Sequence, residues 1–231
     1  MQFVQPTTPK NLNPLARELL ESFAGHPEAA EIVLGGGVAL SHYLEYRDTV
    51  DVDAWWRTES RQDVMQFIEG CMKSLAAKRG LDYRRRTWGE TESLELLRDS
   101  QKQFSFQISR RTLYLDEAIP AEWRPLWIET LRDNVGSKMT ALVLRGAPRD
   151  FLDIYELVSR SVISISDCWE LWSHKNPGVS VDEAMRKVFA RMESIALMRP
   201  LETIQSKASR DSAALVRAWY RDTFTKPTSI P

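Results

Sequence analysis

Ile32-Val33-Leu34 is a short apolar run that stops at Gly35-Gly36-Gly37, and from Val38 the pattern predicts a helix over residues 38–46. A short apolar run bounded by turn residues is the mark of a buried strand, so the chain reads here as strand, glycine bend, helix. Without a Cβ, such a bend lets the backbone approach a phosphate closely while the amides of the following helix present partial positive charge. Glycine bends before helices are also common packing devices, so the bend alone does not choose between the two.

Residues 50–56 then alternate apolar and acidic positions, which predicts a second strand carrying Asp51 and Asp53. Residues two apart on a strand point to one face, so both carboxylates face the same space while Val52 enters the core. Two such acids can hold Mg²⁺ (or Mn²⁺), because hard divalent cations prefer carboxylate oxygen, and phosphoryl transfer to a hydroxyl uses such ions to offset charge on the attacking and leaving oxygens. The same pair on a solvated strand face would only contact water. The flanks Val50, Val52, Ala54, Trp55 and Trp56 are apolar, and there two like charges raise each other's pKa unless a cation or an arginine compensates. That setting favours a metal site.

Around this core the pattern predicts a helix over residues 14–24, a longer one over 61–79, and strands over 81–87, 93–97 and 104–113, the last with Phe104, Phe106 and Ile108 on one face. From Pro120 the period shifts to about 3.6, with helices predicted over 123–145, 148–160, 167–174, 181–198 and 209–223. The fold class is therefore α+β: a mixed sheet with helices in residues 1–119, then a helical C-terminal domain in 120–231, with 225–231 as a frayed end. The 231 residues, with 43% hydrophobic and 27% charged, suit a soluble globular chain with an ample core. A net charge of −1 excludes a whole-molecule field as the force that gathers nucleic acid. Two distant cysteines, Cys71 and Cys168, fit buried thiols in a reducing compartment. With no apolar stretch long enough to span a bilayer and no leader pattern, the expectation is a cytoplasmic protein with no membrane partner.

The run Leu34-Gly35-Gly36-Gly37-Val38-Ala39-Leu40, followed by His42, Arg47, Thr49, Asp51, Val52 and Asp53, resembles the "GGTAL … R-x-S-x-D-x-D" opening of the AbiEii/AbiGii nucleotidyltransferase toxins. A second block, Lys138, Ala141-Leu142, Arg145, then Arg149-Asp150-Phe151-Leu152-Asp153 and on to Leu157, is similar to that family's "K-x-x-A-L-x-x-R … R-D-x-x-D-x-x-x-L" segment. The resemblance implies a polymerase-β-like nucleotidyltransferase domain followed by a helical domain, with an NTP as substrate. It also implies that Gly36 and Gly37 hug the triphosphate, that Asp51 and Asp53 bind the metal, that Lys138 contacts phosphate and that Asp150 completes the site. A compact ammonium suits a triphosphate on physical grounds as well. Arg145 and Arg149 flank a Gly-Ala-Pro turn and are candidate nucleotide-binding residues. Pro148 can start the next helix, where Asp150 would also complement the helix dipole. Asp153, one turn on, is expected to pair with an arginine such as Arg149.

Two departures stand out. The strand that should hold a third carboxylate reads Phe104-Ser105-Phe106-Gln107-Ile108-Ser109, without an acid, and Val38 replaces the family's threonine or serine. Arg84-Arg85-Arg86 and Arg110-Arg111 could grip an RNA backbone or could simply solvate sheet edges. His42 and His174 have no partner at metal spacing. The function the sequence supports is transfer of NMP from an NTP to a hydroxyl acceptor with carboxylate-held Mg²⁺, and the resemblance places RNA such as the tRNA 3′ end first among acceptors. The resemblance implies the toxin of a toxin–antitoxin or phage-defence pair, with an antitoxin protein as partner. The alternatives are a nucleotidyltransferase that modifies a protein or small molecule, and a nucleotide-binding module with weakened catalysis, for which the missing acid is the motive.

Overall fold

The computed structural model describes residues 5–111 and 113–225. The expected frayed end beyond Thr225 and position 112 of an expected strand lie outside them. By contacts the chain divides into a first unit that runs to Asn134 and a second that starts at Val135.

The first unit opens with α1 (Pro14–Phe23). Asn13 caps it by accepting from the backbone N–H of Leu15 at 2.8 Å, and Pro14 occupies the first turn, where a missing N–H costs nothing. A 3₁₀ turn leads into β1 (Ile32–Gly35), α2 (Gly36–Ser41), β2 (Asp51–Trp56) and α3 (Gln62–Arg79). There follow β3 (Asp82–Trp88), β4 (Thr91–Arg98), β5 (Gln101–Ser109), β6 (Ile119–Pro120), β7 (Trp127–Ile128) and the first residues of α4 (Leu131–Leu144), most of which belongs to the second unit. The strands form one mixed sheet in the order β3-β4-β5-β2-β1-β7-β6. β2 lies parallel to β5 and antiparallel to β1, and β7 lies parallel to β1.

One sheet face carries the core. Val52, Ala54 and Trp56 of β2, Phe104, Phe106 and Ile108 of β5, and Leu94 and Leu96 of β4 are all buried. They share one cluster with Leu19, Leu20 and Phe23 of α1 and with Val64, Ile68 and Met72 of α3, whose i, i+4 spacing puts each helix's apolar stripe on that face. Phe23 meets Phe106 edge-on at 5.6 Å. The alternate residues of β2, Asp51 and Asp53, therefore emerge on the opposite face, as the period of two requires.

The second unit contains α5 (Pro148–Ser159), α6 (Ile165–Lys175), α7 (Val181–Met198) and α8 (Lys207–Trp219), the last prolonged by a π turn over Tyr220–Phe224. Tyr220 donates to the carbonyl of Phe151 at 3.0 Å and meets its ring at 4.7 Å, while Phe224 packs on Trp169 at 5.3 Å. Aromatic contacts thus fasten the end of the chain to α5 and α6.

The α+β class is as expected, but three elements differ. The helix expected over 123–145 starts only at Leu131, because Pro125 cannot donate within a helix and Trp127-Ile128 instead pairs with β1. The expected boundary at Ile119-Pro120 consequently falls inside the sheet, on β6, and the contact division lies at Asn134/Val135 within α4. The helix expected over 38–46 is the short α2, which closes at His42. That histidine is a core residue: its ring bonds the Val38 carbonyl at 2.8 Å, and burial pushes its pKa down, away from the charged form.

Phe106→Ala removes a fully buried ring at the crossing of sheet and α1 and should cost about 3–5 kcal/mol. Urea unfolding of the variant checks this.

Candidate active site

The glycine bend lies flat against β2. Gly35 pairs with Asp53 in the β1–β2 ladder, and a Cβ at Gly35 would come within 2.1 Å of Trp55 Nε1. Gly36 has φ +58°, the left-handed region, and its Cβ would come within 2.1 Å of Asp53 Oδ2. Only glycine meets both demands at that position. Gly37 lies beside Thr49 Oγ1 and the Arg47 guanidinium, which a Cβ would approach to 2.8 and 3.7 Å. The bend and the acid pair, four of the residues singled out in the sequence, are thus brought together.

A buried carboxylate that the sequence did not single out holds the bend in place. Glu129, 1% exposed, follows β7, and its Oε1 accepts from Gly36 N at 3.1 Å and from Asn134 Nδ2. Its Oε2 accepts from Trp55 Nε1 at 3.2 Å and from Arg111 Nη1 at 2.5 Å. Four donors fill the acceptor capacity of a carboxylate. Asn134 donates to the Gly36 carbonyl as well, at 2.9 Å, so both backbone polar groups of Gly36 are taken. The Gly36 amide expected to face a phosphate is therefore occupied by Glu129. Arg111 lies with its guanidinium 4.3 Å over the Trp55 ring and 3.6 Å from Asp133, its side chain 8% exposed. It is a buried tie, not the RNA-gripping edge residue the sequence allowed.

Across the polar sheet face, Asp51 faces Ser105 and Asp53 faces Gln107 on β5. Ser105 Oγ donates to Asp51 Oδ1 at 2.8 Å, and Lys102 Nζ lies 3.2 Å from both Asp51 oxygens. The compensating cation that an apolar setting demands is thus Lys102 for Asp51. No acid occupies β5 opposite the pair, in line with the sequence. One strand further, Glu95 is committed to Arg84 at 2.6 Å, with Arg86 at 3.6 Å, and Arg85 pairs with Glu92 and Glu69. The arginine run on β3 is therefore neutralised by its own sheet and by α3.

Among the described residues no cluster of three or more His, Cys, Asp or Glu could hold a metal, so a divalent ion at this site would rest on Asp51 and Asp53. Two carboxylates on one strand face are a donor set that Mg²⁺ or Mn²⁺ accepts when phosphate oxygens and water complete the shell. The residues present fit such an ion.

The other candidates belong to the second unit. Lys138 of α4, its side chain 12% exposed, pairs at 2.6 Å with Asp153 of α5, which is fully buried. Asp153 thus pairs with a lysine. Asp150 accepts from Arg145 through both oxygens, at 2.7 and 3.0 Å, and from the Ala147 amide at 2.9 Å. It caps α5 and ties Arg145 to the turn, while Arg149 is exposed.

Residues 18–194 match the family described as nucleotidyl transferase AbiEii toxin, type IV TA system. Among solved structures, the Megavirus polyadenylate synthase is similar over 100% of this chain and 54% of that chain, with 10% sequence identity and a TM-score of 0.40. The chain spans about half the length of that protein. No curated protein matches.

Two substitutions test the geometry. Glu129→Gln removes the nearer of the two buried carboxylates that face Arg111 and should cost about 3–5 kcal/mol in denaturant unfolding; a loss below about 1 kcal/mol would contradict the network. Gly36→Ala and Gly89→Ala meet nearly equal backbone strain, with φ +58° and +56°, but only the first drives a Cβ into a side chain. The first should therefore lower Tm more than the second.

Proposed function

We propose that this chain, which belongs to the AbiEii nucleotidyltransferase toxin family of type IV toxin–antitoxin systems, moves a nucleoside monophosphate from an NTP to a hydroxyl of RNA, the tRNA 3′ end first among acceptors. One observation carries the reading: Asp51 and Asp53 share a strand face, and the Gly36 bend presses against the second of them.

A divalent ion held by Asp51 and Asp53 would supply Lewis-acid neutralisation of the phosphate charge. The chain's own residues do the rest. Glu129, Asn134 and Arg111 hold the bend against β2, so that the triphosphate meets a preorganised surface. Ser105 holds the Asp51 carboxylate in a fixed orientation. A phosphate role for Lys138 and Arg149 rests on the family resemblance alone; within the second unit Lys138 is paired with Asp153, and Arg149 is exposed. With serine and glutamine on β5 in place of an acid, no carboxylate there takes the proton from the acceptor hydroxyl, so it leaves to solvent and turnover is slow. The family's description as a type IV toxin–antitoxin system supports an antitoxin as partner.

The missing acid also favours a second reading, a nucleotide-binding module with weakened catalysis. Incubation with Mg²⁺, each labelled NTP and total tRNA separates the two. The expected outcome is label on tRNA with at least one NTP, reduced by about a hundredfold or more in Asp51→Asn and Asp53→Asn. Label on proteins or small alcohols alone would move the acceptor. NTP binding without pyrophosphate release would favour the module.

A further inference from the structure

The approach of Lys102 to Asp51 is built into the sheet. β4 and β5 are joined through Asp99 and Ser100, both with positive φ of 52° and 64°, the geometry of a two-residue hairpin turn that matches the strand twist. From that turn Arg98 pairs with Gln101 and Leu97 with Lys102, but Leu96 pairs with Phe104 and Glu95 with Ser105. Gln103 is left without a partner on β4, a bulge. Strict alternation from Ser105 would send Lys102, three residues away, to the core face with Phe104 and Phe106. The bulge breaks the alternation and re-aims the lysine towards the acid pair.

We propose that Lys102 is a tethered counter-cation, a positioning residue that holds Asp51 when no divalent ion is bound and gives way when one enters. The proposal rests on the reading of Asp51 and Asp53 as the ligands of that ion. Lys102 Nζ lies 3.2 Å from both Asp51 oxygens and 3.4 Å from Ser105 Oγ. The side chains of Lys102 and Asp51 are 40% and 24% exposed, so water reaches the pair and its hold is weak and exchangeable. A divalent ion brings twice the charge to the same oxygens and outcompetes the ammonium, whose flexible stem lets it swing clear. Asp51, Asp53 and Lys102 together carry a formal charge of −1, the Arg47 guanidinium beside Gly37 offsets more of it, and three carboxylates alone would give −3. Such a site binds a bare divalent ion feebly and takes it together with the triphosphate.

The test follows Mn²⁺ binding by the loss of its free-ion electron paramagnetic resonance signal, with and without NTP, and needs no turnover. In K102Q, bare Mn²⁺ should bind about two- to fivefold more tightly than in the wild type, K102R should restore the wild-type value, and D51N should abolish binding. K102M keeps the lysine stem and replaces K102Q if the latter does not fold. Wild-type binding that D51N abolishes and K102Q or K102M leaves unchanged or weakens would overturn the proposal alone. If D51N makes no difference in the wild type, even with NTP present, the acid-pair reading fails and the proposal with it.

Discussion

The buried carboxylate of Glu129 is the interaction on which the candidate site depends. An unpaired charge in that position would carry a large desolvation cost. It is tolerable only because four donors converge on it, and those donors fix the geometry: the Gly36 amide, the Asn134 amide, the Trp55 indole and the Arg111 guanidinium. Each belongs to a different stretch of chain. The bend cannot lift from β2 without breaking a charge-assisted bond at low dielectric. Rigidity at Gly36 is therefore a property of Glu129 rather than of glycine, which by itself only permits the conformation.

The same logic explains what was legible in the sequence. Asp51 and Asp53 were readable because strand alternation is a local rule, and α7 was readable because eighteen residues of one period leave little ambiguity. Trp127-Ile128 was not. Two residues make no pattern, and their strand exists because β1 offers an edge; the local clue was Pro125, which argued against a helix there. Glu129 lay inside that misread helix, and its partners stand as far as 93 residues away. No spacing rule reports such a pairing. Lys102 was hidden for another reason: the bulge at Gln103 reverses the face that alternation assigns to it.

Charge bookkeeping across the sheet limits how a polyanion could be recognised. Arg84 and Arg86 are answered by Glu95, Arg85 by Glu92 and Glu69, and Arg111 by Glu129 and Asp133. The partly exposed pairs of the β3 run add little stability, yet they cancel the field that a run of arginines would otherwise project. Together with a net charge of −1, this leaves these four arginines without a field that would steer a polyanion over long range. Contacts at short range must then supply selectivity.

That conclusion bears on the acid pair itself. Substitution of the expected third acid by Ser105 and Gln107 removes negative charge, and Lys102 removes one more unit. Both changes weaken the pull on a free divalent ion and lessen the repulsion felt by an incoming triphosphate. On the proposed reading of the acid pair, such a site trades a tightly held metal and a nearby base for easier access by an anionic substrate. Its specificity then falls on whichever ligand brings its own cation and fits the surface that Glu129 holds rigid.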